Sequence, residues 1–454
     1  MSEGYIYNVI FLLIAIFVWS VSRYCYPVSK RLIRIFVFFW LVNSFVIACG
    51  LITYDVIFTL KTFTYQSIFF GLGVLGIWFG TFGVRSPDRA DPLTVQVLNP
   101  RSTLVMIVCS SIFVVVSLFE LSALITIMIT DFSSLRRLHW SQFVNEDAPG
   151  IYDALMAFSG GVAFFAFLTF FTNNNNTRGW LYCFAAILAG LFFLNTLSVG
   201  GRAYVFFVIF AAVYLRTLFK PSARIRSVSS ILKRSLLFCF VLFGGAWFMV
   251  IFPAVRGGIE YTDLDYFLSL RHNAAISDHV RELDHKIPGL SELAFATEYF
   301  STPTVKMTDL IENLDTSDTY AFGMNSFSVP AKIISLFTDT NLHSSVRFAL
   351  ENKIASQGYY ATRPWTTIAQ DFALDFGLVG GVVMCFFCTF LLSKAYVWGF
   401  KANSSEGYAL CSLIALNLVI FAFKSPFNIP FVANALFAGF FLCLLGFKVA
   451  RATK

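Results

Sequence analysis

A chain of 454 residues that is 57% hydrophobic, 18% aromatic and only 13% charged lies outside the range of soluble globular domains. Its formal charge of +7 is unevenly spread: residues 255–363 hold 14 Asp/Glu against 9 Lys/Arg, net −5, which leaves +12 for the rest. Basic residues gathered in short connections between apolar runs point to membrane orientation and not to nucleic-acid binding.

Eleven apolar runs follow one another: 5–21, 33–53, 67–84, 104–130, 151–172, 180–198, 203–219, 235–254, 368–393, 408–423 and 431–447. About 20 apolar residues cross roughly 30 Å of hydrocarbon. Backbone groups in lipid must be satisfied within their own segment, so the runs read as helices. The ~10-residue apolar/polar alternation of a membrane β-barrel is absent. The expected fold class is an all-α polytopic integral membrane protein, with about 11 transmembrane helices and one large extracytoplasmic loop containing short amphipathic helices. Residues 1–254 form an N-terminal bundle of about eight of these helices, 255–363 the loop, and 364–454 about three C-terminal helices. No Ala-x-Ala cleavage pattern follows the first run, and basic residues do, so it reads as a retained span. With the N-terminus outside, the cytoplasmic connections carry 19 Lys/Arg and the short outer ones 5, which places the loop outside the cytoplasm.

Along the chain, Gly76 and Gly80 make a G-x-x-x-G that predicts close helix approach. Glu120, a carboxylate within an apolar run, reads equally as a paired structural group or a functional one. The turn Ser198-Val-Gly-Gly-Arg202 is too short for a free loop, so Arg202 sits at the outer mouth of the bundle. Arg256, in Phe252-Pro-Ala-Val-Arg-Gly-Gly258, repeats the pattern on the same side. A planar guanidinium in such a turn either contacts lipid headgroups or clamps phosphate oxygens. Within the loop, 263–286 has helical periodicity, with Leu264, Phe267, Leu268, Ile276, Val280 and Leu283 along one side. His272 and His279 share a face there, but seven residues rise about 10 Å, too far to share a metal ion. Residues 331–337, after Pro330, and 344–354 also read as helical. Cys385 and Cys388 form a C-x-x-C inside an apolar run, where helix packing is the expected role. No nucleotide-binding, hydrolase or zinc-protease motif occurs.

Three stretches together resemble the O-antigen polymerase family of oligosaccharide repeat-unit polymerases. They are Val199-Gly-Gly-Arg-Ala-Tyr204; Tyr299-Phe-Ser-Thr-Pro with Leu310-Ile-Glu-Asn and Tyr320-Ala-Phe-Gly-Met; and Arg363-Pro-Trp-Thr-Thr with Asp371-Phe-Ala-Leu-Asp375-Phe-Gly-Leu-Val-Gly-Gly381. The layout, many spans with a late large outer loop, is similar too. The resemblance implies a bacterial inner-membrane glycosyltransferase that faces the periplasm. It would move a growing glycan from undecaprenyl pyrophosphate onto a hydroxyl of a new lipid-linked repeat. Its partners would be those lipid-linked oligosaccharides, membrane lipid and a chain-length regulator protein, with no nucleic acid, cofactor or metal. Arg202, Arg256, Arg271 and Arg363 are then the expected pyrophosphate contacts, and Asp375, His272 or Glu298 the general base. Asp375 reads equally as a helix-start carboxylate favoured by the helix dipole. Other readings of the layout are an O-antigen ligase, a flippase or transporter, and a non-catalytic scaffold of envelope assembly.

The charge asymmetry makes a direct prediction. Single cysteines at Ser291 and Ser227, in a cysteine-free background, should react oppositely with an impermeant maleimide on intact spheroplasts, Ser291 labelling and Ser227 protected. The reverse pattern would overturn the topology.

Overall fold

Ten of the eleven predicted apolar runs are helical in the computed structural model. It describes residues 3–54, 58–84, 99–130, 151–172, 179–199, 202–219, 268, 274–313, 321–323, 326–327, 329 and 367–452. The predicted run 235–254 and the predicted helices 331–337 and 344–354 lie outside the described residues. The helices are α1 (Glu3–Val21), α2 (Pro27–Ala48), α3 (Leu60–Thr81), α4 (Pro100–Thr130), α5 (Ile151–Thr172), α6 (Gly179–Val199) and α7 (Arg202–Thr217). From the polar interval come α8 (Asp278–Asp284) and α9 (Leu290–Asn313), followed by α10 (Ile368–Ala402), α11 (Ser405–Ile420) and α12 (Pro430–Ala452). Five helical stretches are long and apolar enough to cross a membrane: Tyr5–Tyr24, Pro27–Ala48, Leu60–Thr81, Pro100–Phe119 and Ile368–Ala402. Five shorter apolar stretches, in α5, α6, α7, α11 and α12, accompany them. The molecule is thus a mainly helical protein of membrane type.

Several boundaries differ from the pattern of apolar residues, and those of α2 have a visible cause. α2 begins at Pro27, more than a turn before the apolar run, because its first turns carry basic residues that find partners. Arg34 donates to Ser22 Oγ at 3.2 Å and lies 5.3 Å from the Trp19 ring centroid, and Arg31 hydrogen-bonds Tyr396 of α10. α2 also stops earlier, near Gly50 at φ +59, and Ile52–Tyr54 leave it as a strand, β1. The predicted helix 263–286 is likewise corrected. Ala274–Ile276 form β2, antiparallel to β1 with Ile52 opposite Ile276, and Asp278–Asp284 follows as a short α-helix. Of the predicted apolar face, Leu268, Ile276 and Val280 pack with Ile52, Ala274, Ala294 and Phe295 in a small separate cluster. Leu283 is exposed, and Leu264 and Phe267 lie outside the described residues.

Hydrogen bonds between neighbouring helices sort the element ends into two groups. At one end Tyr5 donates to the Ala48 carbonyl at 2.5 Å and Asn8 to that of Ser44 at 3.0 Å, and β1, the start of α3 and α9 gather there. At the other end Tyr214 meets Tyr396 at 2.9 Å, and Ser102 donates to Glu406 Oε1 at 2.8 Å. Arg23, Lys30, Arg31, Arg34, Arg101, Arg216 and Lys394 all belong to this second end, away from α8 and α9. Lys61 and Lys424 stand at the first end.

α3 and α10 run parallel and make the most extensive helix contact among the described residues. A Cβ on Gly80 would stand 2.6 Å from that of Ser393 and 2.8 Å from the Phe390 carbonyl oxygen, and one on Gly76 would be 2.5 Å from the Phe386 oxygen. The G-x-x-x-G therefore does the helix packing expected of it. Cys385 and Cys388 are buried, and the Cys385 thiol faces the Phe69 carbonyl at 3.5 Å, in keeping with a packing role. Gly76→Leu should cost about 1–3 kcal/mol or more from overpacking against backbone. Gly71→Leu, on the same helix with open space around it, should be nearly neutral. Thermal unfolding of the two variants in detergent tests this; equal midpoints would contradict the contact.

Candidate functional site

The first turns of α10 carry two acidic residues, Asp371 and Asp375, which lie one turn apart on the same face. Thr367 caps this helix, its hydroxyl accepting from the Gln370 N–H at 3.3 Å. At Gly377 the helix breaks, with φ 73 and ψ 176, a conformation open to glycine and costly for other residues. A break inside an apolar bundle frees carbonyls that need new donors. The chain at 321–327 supplies two of them. Ala321 N–H donates to the Leu374 oxygen at 3.2 Å and Phe322 N–H to the Asp375 oxygen at 3.0 Å.

The carboxylates extend this connection. Asp375, 0% exposed, accepts from the Ser326 N–H through Oδ2 at 2.5 Å. Asp371 Oδ2 accepts from the Ser425 N–H at 3.3 Å and faces Asn428 Nδ2 at 3.5 Å. Ser425 Oγ then donates to the Ser326 carbonyl at 2.6 Å, closing a ring of bonds. Three pieces of chain are joined here: the polar interval at 321–327, the broken start of α10, and the turn between α11 and α12.

A second polar group is built on α9. Asp284 caps that helix, accepting from the Leu290 and Ser291 N–H groups at 2.7 and 3.1 Å. Those backbone bonds, Ser291's first, hold its carboxyl below the usual range. Further along, Glu298 is 7% exposed and lies beside Tyr54 of β1. Tyr54 shares a 2.5 Å hydrogen bond with Ser301, and burial pushes its phenol pKa up, with the Glu298 charge adding to the rise. Lys306 is buried on the same helix, and burial pushes the nearby Asp309 carboxyl up. Glu312 accepts from both Thr59 and Thr62 at the start of α3, and Lys61 Nζ donates to its carbonyl at 3.1 Å.

Of the residues expected to act on substrate, Asp375 and Glu298 are thus placed, in two different surroundings with different partners. Arg202 is the first residue of α7; its side chain, and Arg256, Arg271, Arg363 and His272, lie outside the described residues, as does the side chain of Glu120. Sequence reasoning missed Asp371, Ser326, Ser425 and Lys306. The spacing of Asp371 and Asp375, one helical turn, was the available signal for the first. Among the described residues no group of three His, Cys, Asp or Glu is placed to hold a metal ion.

As an anchor for Ser326, Asp375 needs an acceptor oxygen more than a charge. Asp375→Asn keeps that oxygen and should leave folding and resistance of the polar interval to proteolysis close to wild type. Asp375→Leu strands the Ser326 N–H and should cost about 1–3 kcal/mol. Two variants equally stable would remove the anchoring role. Neither a protein family, a curated protein nor a solved structure matches this chain.

Proposed function

We propose that the chain is a membrane glycosyltransferase that polymerises undecaprenyl-pyrophosphate-linked oligosaccharide repeats into O-antigen or a related surface polysaccharide. It crosses the bacterial inner membrane about eleven times, with residues 255–363 on the periplasmic side. The observation that carries the reading is α9, a helix from the polar interval packed against α2, α3 and α10 at the end of the bundle opposite Arg23, Arg31, Arg101 and Arg216. It holds Glu298, Lys306, Asp309 and Glu312 next to apolar helices. Charged and hydroxyl groups kept at that level suit a substrate whose polar head sits at a membrane surface while its tail stays in lipid.

The reaction breaks the bond between the anomeric carbon of the growing glycan and its pyrophosphate. The anomeric carbon is attacked by a hydroxyl of the incoming repeat, which passes its proton to a base. Arg202, Arg256, Arg271 and Arg363 are assigned to the departing pyrophosphate, where fixed cations stabilise the charge that develops. The base is one of Asp375, His272 and Glu298. The energy resides in the lipid-linked donor, so no nucleotide is required.

Deleting the gene separates this reading from its neighbours in one gel. Export and attachment to the core continue without a polymerase, so the surface should carry core plus a single repeat, and plasmid-borne wild type should restore the ladder. Bare core in the deletion strain would favour a ligase or flippase.

A further inference from the structure

Beneath α9 lies a layer of the bundle whose composition changes abruptly. Phe11 of α1, Trp40 of α2 and Phe70 of α3 meet in one aromatic layer, with ring centroids 5.4 to 6.4 Å apart. One turn nearer to the α9 end, on the same helix faces, stand Asn8, Ser44 and Gln66. All three are at least nine-tenths buried, and each keeps a polar atom without a hydrogen-bond partner: Asn8 Oδ1, Ser44 Oγ and Gln66 Nε2. Asn43 Oδ1, next to Ser44, is in the same condition.

α9 packs on α2 and α3, the helices that carry Ser44 and Gln66, with a polar face of its own. Ser301, Thr304, Thr308 and Glu312 share one side of the helix. The face is pinned at its two ends, by Tyr54 at Ser301 and by Thr59 and Thr62 at Glu312. Between the pins Thr304 is 0% exposed and its hydroxyl again has no partner. Pro303 in the same stretch removes a backbone donor from the helix.

A contact between two polar surfaces that leave each other's groups unbonded is weaker than the contact either makes with water. The aromatic layer below offers one such atom, Trp40 Nε1, also without a partner, among apolar rings. We infer that the second half of α9 is a lid, which lifts from the ends of α2 and α3 and admits water to the layer of Asn8, Ser44, Gln66 and Thr304. Opening restores hydrogen bonds to the stranded groups, and closure is maintained by the pins and by Met307 and Ile311, which belong to the main core. The inference concerns motion of this end of the molecule and does not depend on the reaction proposed for it.

The test uses purified full-length Thr304→Cys in lipid nanodiscs, treated with N-ethylmaleimide and mapped by mass spectrometry. Native Cys411, 0% exposed in α11, serves as a control within the same chain. The cysteine at 304 should react at least roughly tenfold faster than Cys411, as local opening at low cost requires. Making the layer apolar with Ser44→Ala and Gln66→Leu should slow that reaction by a similar factor. Protection of position 304 equal to that of Cys411 overturns the lid, and a rate indifferent to the two apolar substitutions overturns the stranded groups as its cause. Should Thr304→Cys not elute as folded protein, Thr308→Cys, also 0% exposed on that face, makes the same measurement.

Discussion

Carbonyl and amide groups that water does not reach must find partners inside the protein, and the break in α10 turns that requirement into architecture. A continuous helix would have used the carbonyls of Leu374 and Asp375 itself. Because Gly377 leaves the helical conformation, the backbone of 321–322 must lie against them. Segment 321–327 comes from the one long polar interval of the chain, so the break ties that interval to the bundle at a fixed place. Asp375 and Asp371 strengthen the tie by accepting from Ser326 and Ser425. Losing one member strands the others, so the ring should behave as a unit and its substitutions should not add.

Just past the break, α10 runs along α3 at a distance only glycine permits. The two features depend on each other. Close approach over Gly73, Gly76 and Gly80 fixes the lower part of α10 as a rigid post, while the upper part, from Ile368 to Asp375, is turned aside and buried. Tyr65 of α3 reaches the Ala369 carbonyl at 2.8 Å, and Ile368 N–H donates to the Phe421 carbonyl at 3.2 Å. The segment that carries its two carboxylates is held in position by three separate parts of the chain, α3, the polar interval and the turn before α12.

The sequence is legible where one helix suffices to explain a pattern. Apolar length located the helices, and the G-x-x-x-G located a close contact, because both depend on residues a turn apart. It is less legible where a partner is distant in the chain. Ala274–Ile276 has a helix-like apolar spacing, yet it is a strand because Ile52–Tyr54 stands beside it. Pro27 opens α2 ahead of the apolar run because Arg31 meets Tyr396 and Arg34 meets Ser22 and Trp19. Asp375 illustrates the same limit at the candidate site. The resemblance suggested a base and its place at a helix start a charge favoured by the dipole; neither reading pointed to the Ser326 N–H, 49 residues away in sequence, from which its carboxylate accepts.

The two ends of the helices differ in how many buried polar atoms they leave unpaired. At the basic end, Tyr214 pairs with Tyr396, Ser102 and the Asn99 N–H with Glu406, and Ser29 with Thr81 at 2.6 Å, while Ser393 and Ser405 each leave a hydroxyl unpaired. At the α9 end, firmly bonded groups at 321–327 and 425–428 stand near a layer in which Asn8, Asn43, Ser44, Gln66 and Thr304 each leave an atom unpaired. Each stranded group costs about 1–3 kcal/mol, so several in one layer weigh against the apolar contacts that hold α9 down. Stability at this end is unevenly distributed: the ring of Asp371, Asp375, Ser326 and Ser425 keeps the polar interval attached, while the contact under α9 is left cheap to open. A protein that must hold a long polar segment on a membrane bundle and still let water or a polar molecule beneath it requires both properties, and here they fall on different residues.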